Sequence, residues 1–146
     1  MLNPEESMKI LGELAAHGVR IAIDDFGTGY SSLAYLKRIP ADTIKVDKTF
    51  VDGIGVDQDA TIVRAVVALA RALEKDTIAE GIESESQFYA IQAMGCDYAQ
   101  GYWISRPIAA EVLTELLSQK TQLVAVTNQD NKRVTTWIHA HGKAAE

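Results

Sequence analysis

The sequence predicts an α/β fold with four parallel strands alternating with helices. Three observations predict it. Short β-branched runs alternate along the chain with helix-like stretches, which argues for right-handed βαβ crossovers. Each of the four runs ends in a polar residue: Asp24-Asp25, Lys45, Glu80 and Gln100. Finally, 146 residues that are 47% hydrophobic can bury a sizeable core.

The elements follow in order. Asn3 and Pro4 form a good helix opening, and Met8, Ile10, Leu11, Leu14 and Ala15 recur near helical spacing up to His17. Gly18 then stops the helix. A strand is expected over Arg20 to Asp24, a short helix over Leu33 to Arg38, and, after Pro40, a second strand over Thr43 to Val46. A helical turn near Phe50 leads to a long helix from Asp59 to Leu73. The third strand, Thr77 to Glu80, precedes a helix from Glu85 to Met94 closed by Gly95. The fourth covers Asp97 to Tyr102, and Pro107 precedes a last helix, Ala110 to Gln119. Two β-prone runs, Gln122 to Thr127 and Val134 to Ala140, flank the polar stretch Asn128 to Arg133. A hairpin and a loosely attached extension both fit them.

Composition narrows the function. The formal net charge is −6, and the basic residues are scattered, so no groove for DNA or RNA polymers is expected. One cysteine, Cys96, allows no internal disulfide and no cysteine-based zinc site. The most apolar stretch, Ile62 to Leu73, is short and carries Arg64 and Arg71, so it does not span a bilayer. With no visible signal peptide, a cytoplasmic chain is expected.

The polar strand ends are where chemistry collects. Along the first strand, alternation sets Ala22 and Asp24 on one side and Ile21 and Ile23 on the other. Lys45 likewise faces away from Ile44 and Val46. Taken singly, an Asp-Asp pair is most often a solvated turn, Lys45 a surface charge and Glu80-Gly81 a plain strand-to-loop junction. Their repetition at the same point of four strands marks a site at the carboxyl end of a parallel sheet. Adjacent aspartates repel each other but offer hard oxygen ligands to a divalent cation. The alternatives are weaker. His17, His139 and His141 lie at a helix end and in the tail, and Ser31 and Ser32 lack evident His and Asp partners. Gly27 and Gly29 follow a carboxylate pair and lack the full dinucleotide fingerprint.

Four segments resemble the EAL-type cyclic-di-GMP phosphodiesterases: Asp-Asp-Phe-Gly-Thr-Gly-Tyr-Ser-Ser-Leu from Asp24, Lys-Val-Asp-Lys-Thr-Phe-Val from Lys45, Ala-Glu-Gly-Ile-Glu from Ala79, and Gln-Gly-Tyr-Trp-Ile-Ser-Arg-Pro from Gln100. The resemblance implies the C-terminal half of a TIM-like (β/α)8 barrel over residues 1–117, with 118–146 as an extension. It implies hydrolysis of cyclic-di-GMP to linear pGpG with Mg²⁺ or Mn²⁺. By position, Asp24 would bind a first metal and Asp25 a second. Lys45 would contact the attacking water and the phosphate. Glu80 would ligate metal or act as base, Glu83 would hold the Asp-Phe-Gly-Thr-Gly loop, and Gln100 would bond metal-bound water.

Departures qualify this. The family's Glu of Glu-Ala-Leu, an Asn and a further Glu have no counterpart in the 146 residues. The chain alone is therefore expected to be inactive or nearly so. A degenerate, non-catalytic module for protein interaction or nucleotide sensing is the alternative. Unpaired sheet edges would invite self-association. At Glu74-Lys75-Asp76 the family usually has Gly and an apolar residue, so a looser lead-in to the third strand is expected.

Overall fold

The computed structural model of the chain describes residues 4–28, 33–54, 57–118, 123–127 and 134–138. Helix α1 (Pro4–Ala16) leads to strand β1 (Ala22–Phe26), helix α2 (Leu33–Arg38) and strand β2 (Thr43–Val46). Helices α3 (Lys48–Asp52) and α4 (Asp57–Ala72) precede β3 (Asp76–Ala79), and α5 (Glu85–Ala93) precedes β4 (Tyr98–Ala99). Helix α6 (Ala110–Ser118) and strands β5 (Leu123–Thr127) and β6 (Val134–Ile138) follow. All three strand pairs of the main sheet are parallel, in the order β1-β2-β3-β4.

The core lies on one face of this sheet. Ile44 and Val46 are fully buried, as are Val63 and Ala70 of α4 and Ile91 of α5. On α4 the buried positions are Val63, Val66, Val67 and Ala70, the spacing of one helical stripe. Each fully buried aliphatic side chain contributes roughly 1.5–3 kcal/mol. Ala22 and Asp24, on the opposite side of β1, are exposed, as alternation requires.

The amino ends of the strands are tied by polar contacts. Asp97 Oδ2 accepts from both the backbone N–H of Thr77 (2.9 Å) and its hydroxyl (2.8 Å), which sets the β3–β4 register. The expected loosening at Glu74-Lys75-Asp76 is not found. Lys75 Nζ donates to the carbonyl oxygens of Ala41 (2.5 Å) and Ile39 (3.3 Å), and Asp76 pairs with Arg20 at 3.1 Å. Glu74 instead adopts φ = 56°, a conformation that suits glycine.

Strand boundaries differ from expectation at two places that matter. β1 runs on to Phe26 because the chain bulges after Ile23, the pairing register shifting between Ile23 and Phe26. β4 is short because Gly101 and Trp103 turn back onto Ile82, whose carbonyl accepts from Trp103 N–H at 2.9 Å. A Cβ on Gly101 would collide with the Ile82 backbone, so this close approach requires glycine. The tail strands β5 and β6 pair antiparallel from Leu123↔Ile138 to Thr127↔Val134, which is the hairpin alternative. Its connecting stretch and His139 and His141 lie outside the described residues, as do Gly29, Ser31 and Ser32. No helix among the described residues is long and apolar enough to cross a membrane.

Candidate metal centre

The carboxyl ends of β1 and β3 bring three of the expected residues into one cluster. Asp24, Asp25 and Glu80 each offer a carboxylate oxygen, and these oxygens lie within 4.8 Å of one another. The bulge explains how two adjacent aspartates reach the same place. In a regular strand their side chains would point to opposite faces. Asp25 adopts φ = 50°, which redirects its side chain toward the side Asp24 already faces. The following turn is closed by Thr28, whose hydroxyl donates to the Asp25 carbonyl at 2.9 Å. Gly27 has φ = 107°, and a Cβ there would stand 2.7 Å from the Phe50 ring, so only glycine fits without displacement.

Lys45 occupies the middle of the cluster. Its Nζ donates to Asp24 Oδ1 at 2.8 Å and to Glu80 Oε1 at 2.7 Å. The hydrogen bond from Lys45 holds the Asp24 carboxyl below the usual aspartate range. The same bonds, to Asp24 and then to Glu80, raise the Lys45 ammonium above its ordinary value. Asp25 behaves oppositely: the negative charge of Asp24 pushes its pKa up, and Asp47 adds to the push. Like charges crowded at one place, with Lys45 bonded to Asp24 and Glu80, produce this pattern.

Asp47 is the residue that the sequence reading missed. Its Oδ1 accepts from the Thr49 N–H (2.9 Å) and hydroxyl (2.5 Å), capping α3, and these bonds hold its pKa down. Its negative charge, after that of Asp24, helps push the Asp25 carboxyl up. The signal was present: Asp47 stands two residues after Lys45, hence on the same side of β2.

The other expected residues stand on the same rim. Glu83 pairs with Lys48 Nζ at 2.5 Å, which raises the lysine's pKa. It is presented by the start of α5, where Ser84 and Gln87 form a reciprocal capping box and Gln87 Oε1 also accepts from Glu83 N–H at 2.8 Å. The loop that Glu83 is expected to hold continues into residues 29–32, outside the described residues. Gln100 extends β4, its N–H donating to Ala79 O at 2.8 Å, and it is exposed.

Asp24 and Glu80 therefore share the Lys45 ammonium, with Asp25 beside them in the cluster and the charge of Asp47 acting on Asp25. The donor set is all oxygen and carries surplus negative charge, which fits a hard divalent cation.

The profile of the family described as the EAL domain matches residues 1–107. The chain belongs to the EAL-domain family. One EAL relative is the bifunctional diguanylate cyclase/cyclic di-GMP phosphodiesterase MucR of Pseudomonas aeruginosa, 48% identical over 114 residues. The match covers 77% of this chain and 17% of MucR. The solved MucR phosphodiesterase, a cyclic-di-GMP complex, superposes with a TM-score of 0.73 at 47% identity, over 77% of this chain and 46% of that one. The EAL domain of Mycobacterium smegmatis DcpA gives a TM-score of 0.76 at 42% identity, over 82% of this chain and 54% of that one. A manganese/cyclic-di-GMP complex of Klebsiella pneumoniae BlrP1 gives 0.67 at 36% identity, over 73% of this chain and 27% of that one. The four βα units are thus part of an EAL TIM-like barrel, and the chain spans about half of the MucR and DcpA structures.

Proposed function

We propose that these residues form half of the metal-dependent site of a cyclic-di-GMP phosphodiesterase, cleaving one phosphodiester bond to give linear pGpG. The observation that carries this reading is the convergence of Asp24, Asp25 and Glu80 within 4.8 Å around Lys45. MucR and BlrP1, which share the fold at 47% and 36% identity, are described with cyclic-di-GMP bound, BlrP1 with manganese as well.

On this reading Asp24 and Asp25 would hold divalent metal, Mg²⁺ or Mn²⁺, and Glu80 would either join them or take the proton of the attacking water. When bound, such cations lower the pKa of water and offset charge developing on the phosphate. Lys45 remains protonated through neutral pH, because its two carboxylate bonds raise its pKa, so it offers a fixed positive charge to a phosphate oxygen. Gln100 would hydrogen-bond water on the metal, and Glu83 with Lys48 would fix the rim beside it.

The resemblance assigns three more ligands to the part of the barrel that these 146 residues do not cover. We accordingly propose that the chain by itself binds metal weakly and turns over little cyclic-di-GMP. Mn²⁺ titration followed by electron paramagnetic resonance, with chromatography of nucleotide products, tests both parts. Weak Mn²⁺ binding that disappears in Asp24→Asn supports the half-site. Binding unchanged in Asp24→Asn refutes it, and rapid pGpG formation by the purified chain refutes the proposed inactivity.

A further inference from the structure

Lys48, the first residue of α3, lies across the turn that carries Glu80 into the cluster. The backbone on either side of that turn is pinned. Glu80 N–H donates to Val46 O at 3.1 Å, Ile82 N–H donates to Gln100 O at 3.0 Å, and Ile82 O accepts from Trp103 N–H at 2.9 Å. Between them stands Gly81 at φ = 72°. Glycine takes either sign of φ with ease, so nothing in residue 81 itself selects this conformation.

Lys48 supplies the selection. A Cβ on Gly81 would collide with the Lys48 side chain, coming within 2.7 Å of its Cβ and Cδ, so the aliphatic stem of the lysine lies directly over residue 81. At the far end of that stem Nζ donates to Glu83 Oε1 at 2.5 Å and stands 3.9 Å from Asp52 Oδ2. Helices α3 and α5 are joined once more, Gln87 Nε2 donating to Val51 O at 3.5 Å. The Lys48 and Glu83 side chains are 46% and 48% exposed, and an ion pair so open to water adds little to stability. Its consequence is geometric: the four residues from Glu80 to Glu83 are held at both ends and covered in the middle.

We propose that Lys48 is a positioning residue of the metal centre. Its stem fixes Gly81 and its ammonium fixes Glu83, so Glu80 is presented to Lys45, Asp24 and Asp25 in a single arrangement. Outer partners that orient a metal ligand without touching the metal change affinity by about 10- to 100-fold when replaced. The effect on metal rests on the cation reading of the cluster; the effect on Glu80 does not.

Nuclear magnetic resonance on the intact 146-residue chain in chelator reads the Glu80 side-chain carboxyl carbon, and Mn²⁺ titration reads affinity. In Lys48→Ala, which removes stem and charge, the Glu80 signal should move toward that of an exposed glutamate, and Mn²⁺ binding should weaken about tenfold. Lys48→Arg, which keeps an aliphatic stem and a cation, should return both close to their wild-type values. Exchange of the Thr77 amide, bonded to Asp97 within the main sheet, should stay slow in both variants. The proposal is overturned if Lys48→Ala leaves the Glu80 signal in place, or speeds Thr77 exchange equally, or if Lys48→Arg fails to restore the signal. It is also overturned if Mn²⁺ binding that Asp24→Asn abolishes is unaltered in Lys48→Ala. Binding unchanged in Asp24→Asn, beside a Glu80 signal that follows Lys48, refutes the metal reading and supports the positioning of Glu80.

Discussion

Replacing Glu80 by Gln and Asp25 by Asn separates metal binding from fold stability, because the two acids stand in opposite electrostatic situations. Glu80 accepts from Lys45 at 2.7 Å, with side chains 19% and 23% exposed. A partly shielded pair of this kind is worth more than an exposed ion pair, and a hydrogen bond between charged groups contributes about 1.5–3 kcal/mol. Lys45 keeps Asp24 at 2.8 Å after the change, and Gln still offers a carbonyl oxygen, so the net loss should be about 1 kcal/mol. Among the described residues Asp25 has no such cation; its pKa is raised chiefly by the charge of Asp24. Asp25→Asn removes that repulsion, so the metal-free chain should be no less stable and its urea midpoint should hold or rise. Both variants delete a carboxylate from the cluster, and both should weaken Mn²⁺ binding by about 10- to 100-fold or more. Urea unfolding in chelator, paired with Mn²⁺ titration, reads both quantities. A fall in metal-free stability for Asp25→Asn, comparable to that of Glu80→Gln, would refute the assignment of Asp25 as an electrostatically strained ligand.

Further outcomes follow from the same geometry. Gly27→Ala forces an unfavourable φ and a contact with Phe50, and should destabilise the chain by roughly 1–3 kcal/mol while weakening Mn²⁺ binding, as thermal unfolding and titration would show. Glu74→Gly relieves a strained residue at φ = 56° and should stabilise by about 0.5–1 kcal/mol in urea unfolding. Val63→Ala opens a cavity beneath α4 and should cost about 1–3 kcal/mol in the same assay, with the site's acids untouched. For pH dependence the signs differ within the cluster. Asp24 and Asp47, lowered in the fold from 3.8, contribute stability above that value that is lost as pH falls below it. Asp25, raised from 3.8, contributes in the opposite sense: its share is present below that value and lost as pH rises through the range just above it. Removing Asp25 with Asn should therefore steepen the acid limb of a stability-against-pH curve measured in chelator.

Much of this arrangement was legible in the residues. Ile44 and Val46 flank Lys45 in strict alternation, so its direction could be read from the chain. The apolar stripe of α4 and the Ser84-Gln87 cap likewise needed only local spacing. The convergence of Asp25 did not follow from alternation, which sends it away from Asp24; a bulge and a positive φ decide it. Asp47 was overlooked because its capping bond to Thr49 is local, while its charge acts on Asp25 through space. The lead-in to β3 looked loose because Lys75 was compared with an apolar residue. Its ammonium instead reaches the carbonyls of residues 39 and 41, more than thirty positions earlier.

The sequence by itself determined the four βα units, the family and the carboxylates at the strand ends, because periodicity and spacing are local properties of a chain. Only the tertiary structure decided that those carboxylates lie within 4.8 Å of one another with Lys45 between Asp24 and Glu80. Those relations depend on register, on a bulge and on through-space charge, which linear order does not encode.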